Sequence, residues 1–215
     1  MVITHKEFKY LSKSWAKVML QNKEYLIKLD SVVGDADLGL TMSEGFQAAS
    51  DAIEDIDETD IGKLSYYAGK AMARAVPSSM GTLMAQGFMA AGKELRGIET
   101  LAEQGTARYF EAYFNGVKTL GKAEIGEKTF LDGMIGSLRT LQEGAEKGRS
   151  LYESAPLIIK TAESDLEKTT NMIARHGRAA ARGEASRKLV DPGAAVAKLM
   201  MTTFAEFIVK KDEVE

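Results

Sequence analysis

The segment Asp30-Ser31-Val32-Val33-Gly34-Asp35-Ala36-Asp37-Leu38-Gly39-Leu40-Thr41 puts three carboxylates within eight residues, among glycines that let the backbone turn. Carboxylates at this density repel one another. A hard divalent cation such as Mg²⁺ relieves that repulsion, because it takes oxygen ligands and commonly binds substrate phosphates as well. Asp30, Asp35 and Asp37 are therefore candidate metal ligands. The loop runs into a capped helix whose free N–H groups at Met42 and Ser43 are expected to receive phosphate oxygens. Surface Asp and Gly also make plain turns and caps, and spacing alone leaves that alternative open. A calcium loop of the EF-hand kind fails, since Gly39 and Leu40 stand where an oxygen ligand and the glycine belong, and Phe46 where the closing Glu belongs.

Two further stretches offer anion chemistry. Pro77-Ser78-Ser79-Met80-Gly81-Thr82 is a small-residue turn ahead of an apolar helix, able to present two hydroxyls and several N–H groups to an anion or simply to cap the helix. Arg175, Arg178, Arg182, Arg187 and Lys188 fall within fourteen residues, a cationic patch suited to a polyphosphate or an acidic partner, or a solvated basic helix end. His176 has no catalytic partner in any sequence pattern, and a P-loop is excluded because Gly116 to Lys122 does not fit Gly-x-x-x-x-Gly-Lys-Ser/Thr. The absence of cysteine removes thiolate chemistry and Cys-based metal sites.

The elements that must hold these stretches read as helices. With 45% hydrophobic and 27% charged residues the 215-residue chain has a globular balance, and with three prolines helix formers fill nearly every segment. A capping box at Thr4–Glu7 opens one long helix ending near Asp30. The same signal recurs at Thr41–Glu44, Thr100–Glu103 and Ser150–Glu153, with a variant at Thr129–Asp132. Further helices are expected over about 60–75, 80–95 and 192–209, the last capped by Asp191 with Pro192 in its first turn. The stretches 31–40, 122–128 and 177–191 break the pattern. The expectation is all-α, about eight helices, one domain over 1–215. A net charge of −3 with interspersed signs argues against nucleic acid. No uninterrupted apolar stretch nears the roughly 20 residues that span a bilayer, and Met1 to Tyr10 carries no signal-peptide run. Cytoplasmic placement without membrane contact is the expectation.

Taken together, Asp30 with Gly34-Asp35-x-Asp37-x-Gly39, Gly126-x-Lys128-Thr129-x-Leu131-Asp132, and Gly177-Arg178-Ala179 with Gly183-Glu184-x-Ser186 and Asp191-Pro192-Gly193-Ala194 resemble the nucleotide-binding L subunits of bacterial dihydroxyacetone kinases. The resemblance spans nearly the whole chain. It implies a barrel of eight antiparallel helices with a nucleotide pocket at one end, and two Mg²⁺ ions held by Asp30, Asp35 and Asp37. It also implies ADP or ATP contacts at Leu38, Thr41, Ser78, Ser79, Gly121, Thr129, Met134, Arg178, Asp191 and Gly193, with Arg178 as the catalytic cation. The partner so implied is a separate K subunit that holds the sugar covalently through a histidine, joined in some systems by a phosphotransferase protein that rephosphorylates bound ADP. Leu38 stands where the family has His, and Ser78-Ser79-Met80-Gly81 where it has a Gly-Ala-Ser-Gly turn, which leaves the substrate open between dihydroxyacetone and a related short ketose. ATP with about four negative charges, three aspartates and two Mg²⁺ leave the site near −3, so cations such as Arg178 are required. The competing expectation is a nucleotide-sensing module that binds a transcription factor or another protein.

Overall fold

The computed structural model describes residues 2–212. Its helices, in chain order, are α1 (His5–Gln21), α2 (Lys23–Val33), α3 (Leu38–Glu54), α4 (Ile61–Ala75), α5 (Ser79–Glu94), α6 (Glu103–Gly121), α7 (Phe130–Glu146), α8 (Leu151–Lys168) and α9 (Pro192–Asp212). Capping boxes open α1, α7 and α8 at Thr4, Thr129 and Ser150, satisfying N–H groups that have no partner inside the helix. Asp60 caps α4 by accepting the Lys63 N–H at 3.0 Å.

Three expected boundaries move. Thr41 lies inside α3, which starts at Leu38 behind Asp37, so the N–H groups of Met42 and Ser43 are interior to the helix rather than free. Thr100 and Leu101 form a short strand β2 paired antiparallel with β1 (Ile3–Thr4), and α6 starts only at Glu103; strand pairing takes the backbone that a cap at Thr100 would use. The long first helix divides at Asn22, whose side chain donates to the Val18 carbonyl at 2.9 Å, the competition with helical backbone for which Asn is known.

Each of α1, α3, α4, α5, α6, α7, α8 and α9 lies against the next, and α9 returns to α1, so eight helices close a barrel with α2 seated on α3. The closing pair runs antiparallel: Trp15 Nε1 donates to the Met200 carbonyl at 3.0 Å while Lys211 Nζ reaches the Val2 carbonyl at 2.8 Å. Aromatic rings fill the interior, with Trp15, Phe88, Phe110, Tyr113 and Phe204 all fully buried. Edge-to-face pairs such as Phe110–Phe204 (4.8 Å) and Phe88–Tyr113 (5.2 Å) add to the burial of their area. Among the described residues α9 alone is long and apolar enough to cross a membrane, Lys198 and Glu206 notwithstanding, but 78% of that stretch is buried against its neighbours. Core packing accounts for its apolarity.

Candidate functional site

Asp30 ends up opposite its own loop because α2 stops one turn later. Gly34 closes the helix, its N–H donating to the Asp30 carbonyl at 2.5 Å, and no side chain fits there, since a Cβ would run into the Asp30 carboxylate. Ala36 then takes a left-handed φ of 66°, a cost that tight functional loops carry when their surroundings fix them. That bend returns the Asp37 and Leu38 N–H groups to Asp30 Oδ2 at 3.1 and 3.4 Å. The outcome is one carboxylate oxygen from each of Asp30, Asp35 and Asp37 within 4.8 Å of one another. Partial desolvation and the like charges of Asp35 and Asp30 push the Asp37 carboxyl up from its ordinary value, opposed by Arg178. The donor set is hard oxygen and Arg178 offsets only one of its three charges, which fits a divalent cation.

The three aspartates border a cleft of about 280 Å³, onto which Leu38, Ser78, Ser79, Arg178, Asp191 and Gly193 also face. Nine of the expected residues thus share one cavity although they come from four separate parts of the chain. Three helices, α3, α5 and α9, present their N-termini there, each adding partial positive charge to an otherwise acidic wall. Arg178 reaches across from the far side, its guanidinium 2.6 Å from Asp35 Oδ2. Ser78 accepts the Gly81 N–H at 3.0 Å, so its hydroxyl serves the α5 cap. Leu38 is 5% exposed and joins the apolar core, so its side chain is held by packing where a histidine would seek polar partners.

The structure does not bring four expected residues to the cleft wall. Thr41 sits one turn into α3 and is buried, and Gly121, at the end of α6, lies beside Leu83. Thr129 spends its hydroxyl accepting the Leu131 N–H at 3.2 Å, and Met134 is fully buried in the core. Thr129 nevertheless adjoins the cleft, because its neighbour Phe130 backs Gly193 closely enough that a Cβ on Gly193 would meet the Phe130 nitrogen at 3.1 Å.

The stretch after α8 turns back over the cleft as two 3-10 turns across Arg178–Ser186, broken at Gly183 (φ 51°). Here the structure supplies what sequence reading lacked. His176 lines the cleft and has a partner after all, Glu127 Oε2 at 2.6 Å, 49 positions away in sequence. Lys128 is buried, and its ammonium meets four carbonyls of the returning stretch, those of Thr169, Met172, Ser186 and Leu189. The only sequence signal for either was the Gly126 to Asp132 motif, whose other members are now explained: Asp132 accepts from Gly126 N at 2.5 Å and Thr129 N at 2.8 Å. Ser186, from the third motif, accepts the Ala174 N–H at 2.9 Å and donates to the Gly183 carbonyl at 2.6 Å. Asp191 accepts from Ala194 N at 2.7 Å, and burial pushes its carboxyl up to about 7 against the pull of that bond and of Lys128.

A family model described as the DAK2 domain matches residues 32–206. The chain is 32% identical over 182 residues, 85% of its length and 87% of the relative's, to the ADP-binding subunit DhaL of the PEP-dependent dihydroxyacetone kinase of Escherichia coli (strain K12). It is 28% identical to the L-erythrulose 1-kinase of Mycolicibacterium smegmatis, covering 92% of this chain but 35% of that enzyme. The dihydroxyacetone kinase of C. freundii is similar in fold at 20% identity, with a TM-score of 0.70 in its native form and 0.67 in complex with AMP-PNP and Mg²⁺. The chain covers 93% of itself and 34% of that kinase in the first superposition.

Proposed function

The chain belongs to the DAK2 domain family, and from that premise we propose that it is the nucleotide-binding, phosphoryl-donating subunit of a dihydroxyacetone-type kinase. The observation that carries the reading is the cleft itself: three aspartates within 4.8 Å of one another face three helix N-termini and one arginine. Asp30, Asp35 and Asp37 would hold two Mg²⁺ ions, which when bound neutralise phosphate charge and orient the phosphates. The chain's own groups do the rest. Backbone N–H groups at the start of α5, around Ser79 and Met80, receive phosphate oxygens, helped by the helix dipole. Arg178 gives up an exposed ion pair with Asp35, worth about 0–1 kcal/mol, and turns to the phosphoryl group in flight, where charge stabilisation supplies most of the catalysis. The base end of the nucleotide is assigned to the edge where Phe130, next to Thr129, backs Gly193 and where Gly121, at the end of α6, lies beside Leu83 of α5, with Thr41 and Met134 supporting from within their helices.

The sugar is assigned to a separate K-type subunit: the larger cleft of about 590 Å³ between α5 and α6 is lined by Lys93, Glu94, Arg108 and Glu111 but by no histidine that could hold a ketose covalently. The substrate is dihydroxyacetone or a similar short ketose, and the setting is the cytoplasm. The unit proposed is the whole of 1–215. The test is direct: calorimetry of purified protein with Mg·ADP and Mg·ATP, then phosphorylation of dihydroxyacetone and erythrulose on adding a K-type subunit, with and without a phosphotransferase protein. Nucleotide binding with transfer only in the presence of the K-type subunit is expected. Tight nucleotide binding with no transfer to either ketose under any of these conditions would favour a sensor.

A further inference from the structure

The stretch from Arg175 to Val190 holds Arg178 over the cleft, yet only Ser186 within it is buried. Burial of apolar area, the usual source of order, is therefore almost missing there. What holds it is polar and comes mainly from one side chain. Lys128 is 3% exposed, and its Nζ lies 2.7 Å from the Thr169 carbonyl, 2.8 Å from Ser186, 2.7 Å from Leu189 and 3.3 Å from Met172. An ammonium has three N–H donors and no acceptor, so three short bonds and one longer contact use it completely. The four carbonyls mark the beginning and the end of the stretch, which the lysine ties together at its base as a single loop.

A buried lysine is expensive unless it is satisfied throughout, and here burial lowers its pKa while the charge of Asp191 raises it. Its backbone adds a second cost, because Lys128 has a φ of 63° and Lys188, which donates to the Thr170 carbonyl at 2.8 Å, a φ of 68°. Left-handed non-glycine residues persist where their surroundings over-determine them. The neighbouring bonds agree with this: Glu127, beside Lys128, accepts the Arg175 N–H at 3.1 Å through its carbonyl and His176 through its carboxylate at 2.6 Å.

We propose that Lys128 is the positioning residue of the nucleotide site, clamping residues 169–189 so that Arg178 and Asp191 stand ready at the cleft. The proposal rests on the nucleotide reading above and adds a residue that touches neither metal nor phosphate. In Lys128→Met, which keeps the length and apolar stem but not the donors, Mg·ADP affinity should fall tenfold or more by calorimetry, about 1.4 kcal/mol. The amides of Ala174, Arg175 and Lys188 should exchange hydrogen faster in the nucleotide-free protein, while amides in α1 and α9 keep their protection. Lys128→Arg, which restores charge and donors, should return affinity to within about threefold of wild type. Asp35→Asn serves as the contrast, losing Mg·ADP and its pair with Arg178 while exchange at Ala174 and Lys188, at the base of the loop, stays unchanged. Wild-type protein that fails to bind Mg·ADP would sink the nucleotide reading, and the exchange data would still report on the clamp. Unchanged affinity in Lys128→Met, lost affinity with wild-type exchange at Ala174 and Lys188, or wholesale unfolding of both variants would each overturn the positioning role.

Discussion

Asp35 tests whether the acidic loop exists for a ligand or for the fold. In the free protein its carboxylate makes one ion pair, to Arg178, with side chains 43% and 67% exposed, and such a pair contributes about 0–1 kcal/mol. Against it stand two like charges within 4.8 Å; a pair of unit charges at that separation repels by about 0.9 kcal/mol in water, before screening by salt. Removing the charge in Asp35→Asn therefore relieves about 1.8 kcal/mol of repulsion before screening and forfeits at most about 1. The free variant should match the wild type or exceed it by up to about 1–2 kcal/mol. Asp30 should behave differently, because its carboxylate also accepts the N–H groups of Asp37 and Leu38 and Asp30→Ala forfeits those bonds. With nucleotide the order reverses: Mg·ADP at about 100 times Kd stabilises the wild type by roughly 2.7 kcal/mol, or about 5–11 °C in Tm for a chain of this size, and Asp35→Asn should lose nearly all of that shift. Differential scanning calorimetry with and without Mg·ADP reads both quantities. An Asp35→Asn protein that keeps the full shift, or one that melts far below wild type without nucleotide, would refute the argument.

Three other outcomes follow from the same geometry. Asp191, with a folded pKa near 7 against an ordinary 3.8, binds its proton more tightly when folded, so its contribution is fully present below about pH 4 and is lost as pH rises through 7; urea unfolding at pH 5 and pH 8 should show the wild type losing on the order of 2–4 kcal/mol relative to Asp191→Asn across that window. At Gly39 a Cβ would strike the Lys23 carbonyl and crowd the Ile27 nitrogen at 3.0 Å, so Gly39→Ala should push α3 off α2 and cost about 1–3 kcal/mol in chemical denaturation, whereas Gly105→Ala, which meets only the Leu101 side chain at 3.3 Å or beyond, should be close to neutral. Leu38→His should destabilise the free protein by roughly 1–3 kcal/mol, since it puts a polar ring into a position 5% exposed, and a K-subunit-dependent rate raised tenfold instead would mean that the apolar residue limits the chemistry.

The helical class and most helix starts were legible in the sequence because capping is local chemistry: Thr4 and Glu7, or Ser150 and Glu153, meet within one turn whatever the rest of the chain does. The acidic loop was legible for the same reason, its members being at most seven positions apart. Local signals misled where a more distant partner took the backbone, as when β1 drew Thr100 into a strand and the Asp30 carboxylate took the N–H groups of Asp37 and Leu38, so that α3 opens a turn before Thr41. Only the tertiary structure decided that Arg178 faces Asp35 from 143 positions away, that Glu127 answers His176, and that the ammonium of Lys128 meets carbonyls 41 to 61 positions downstream. A carbonyl carries no side-chain signature, so nothing in the residue types of 169–189 announces that they bind a lysine. The cleft is likewise a product of closure: α3, α5 and α9 bring their N-termini together only when the aromatic interior draws eight helices into one ring and α9 returns to α1, since burial of that apolar surface is the force that joins segments far apart in the chain.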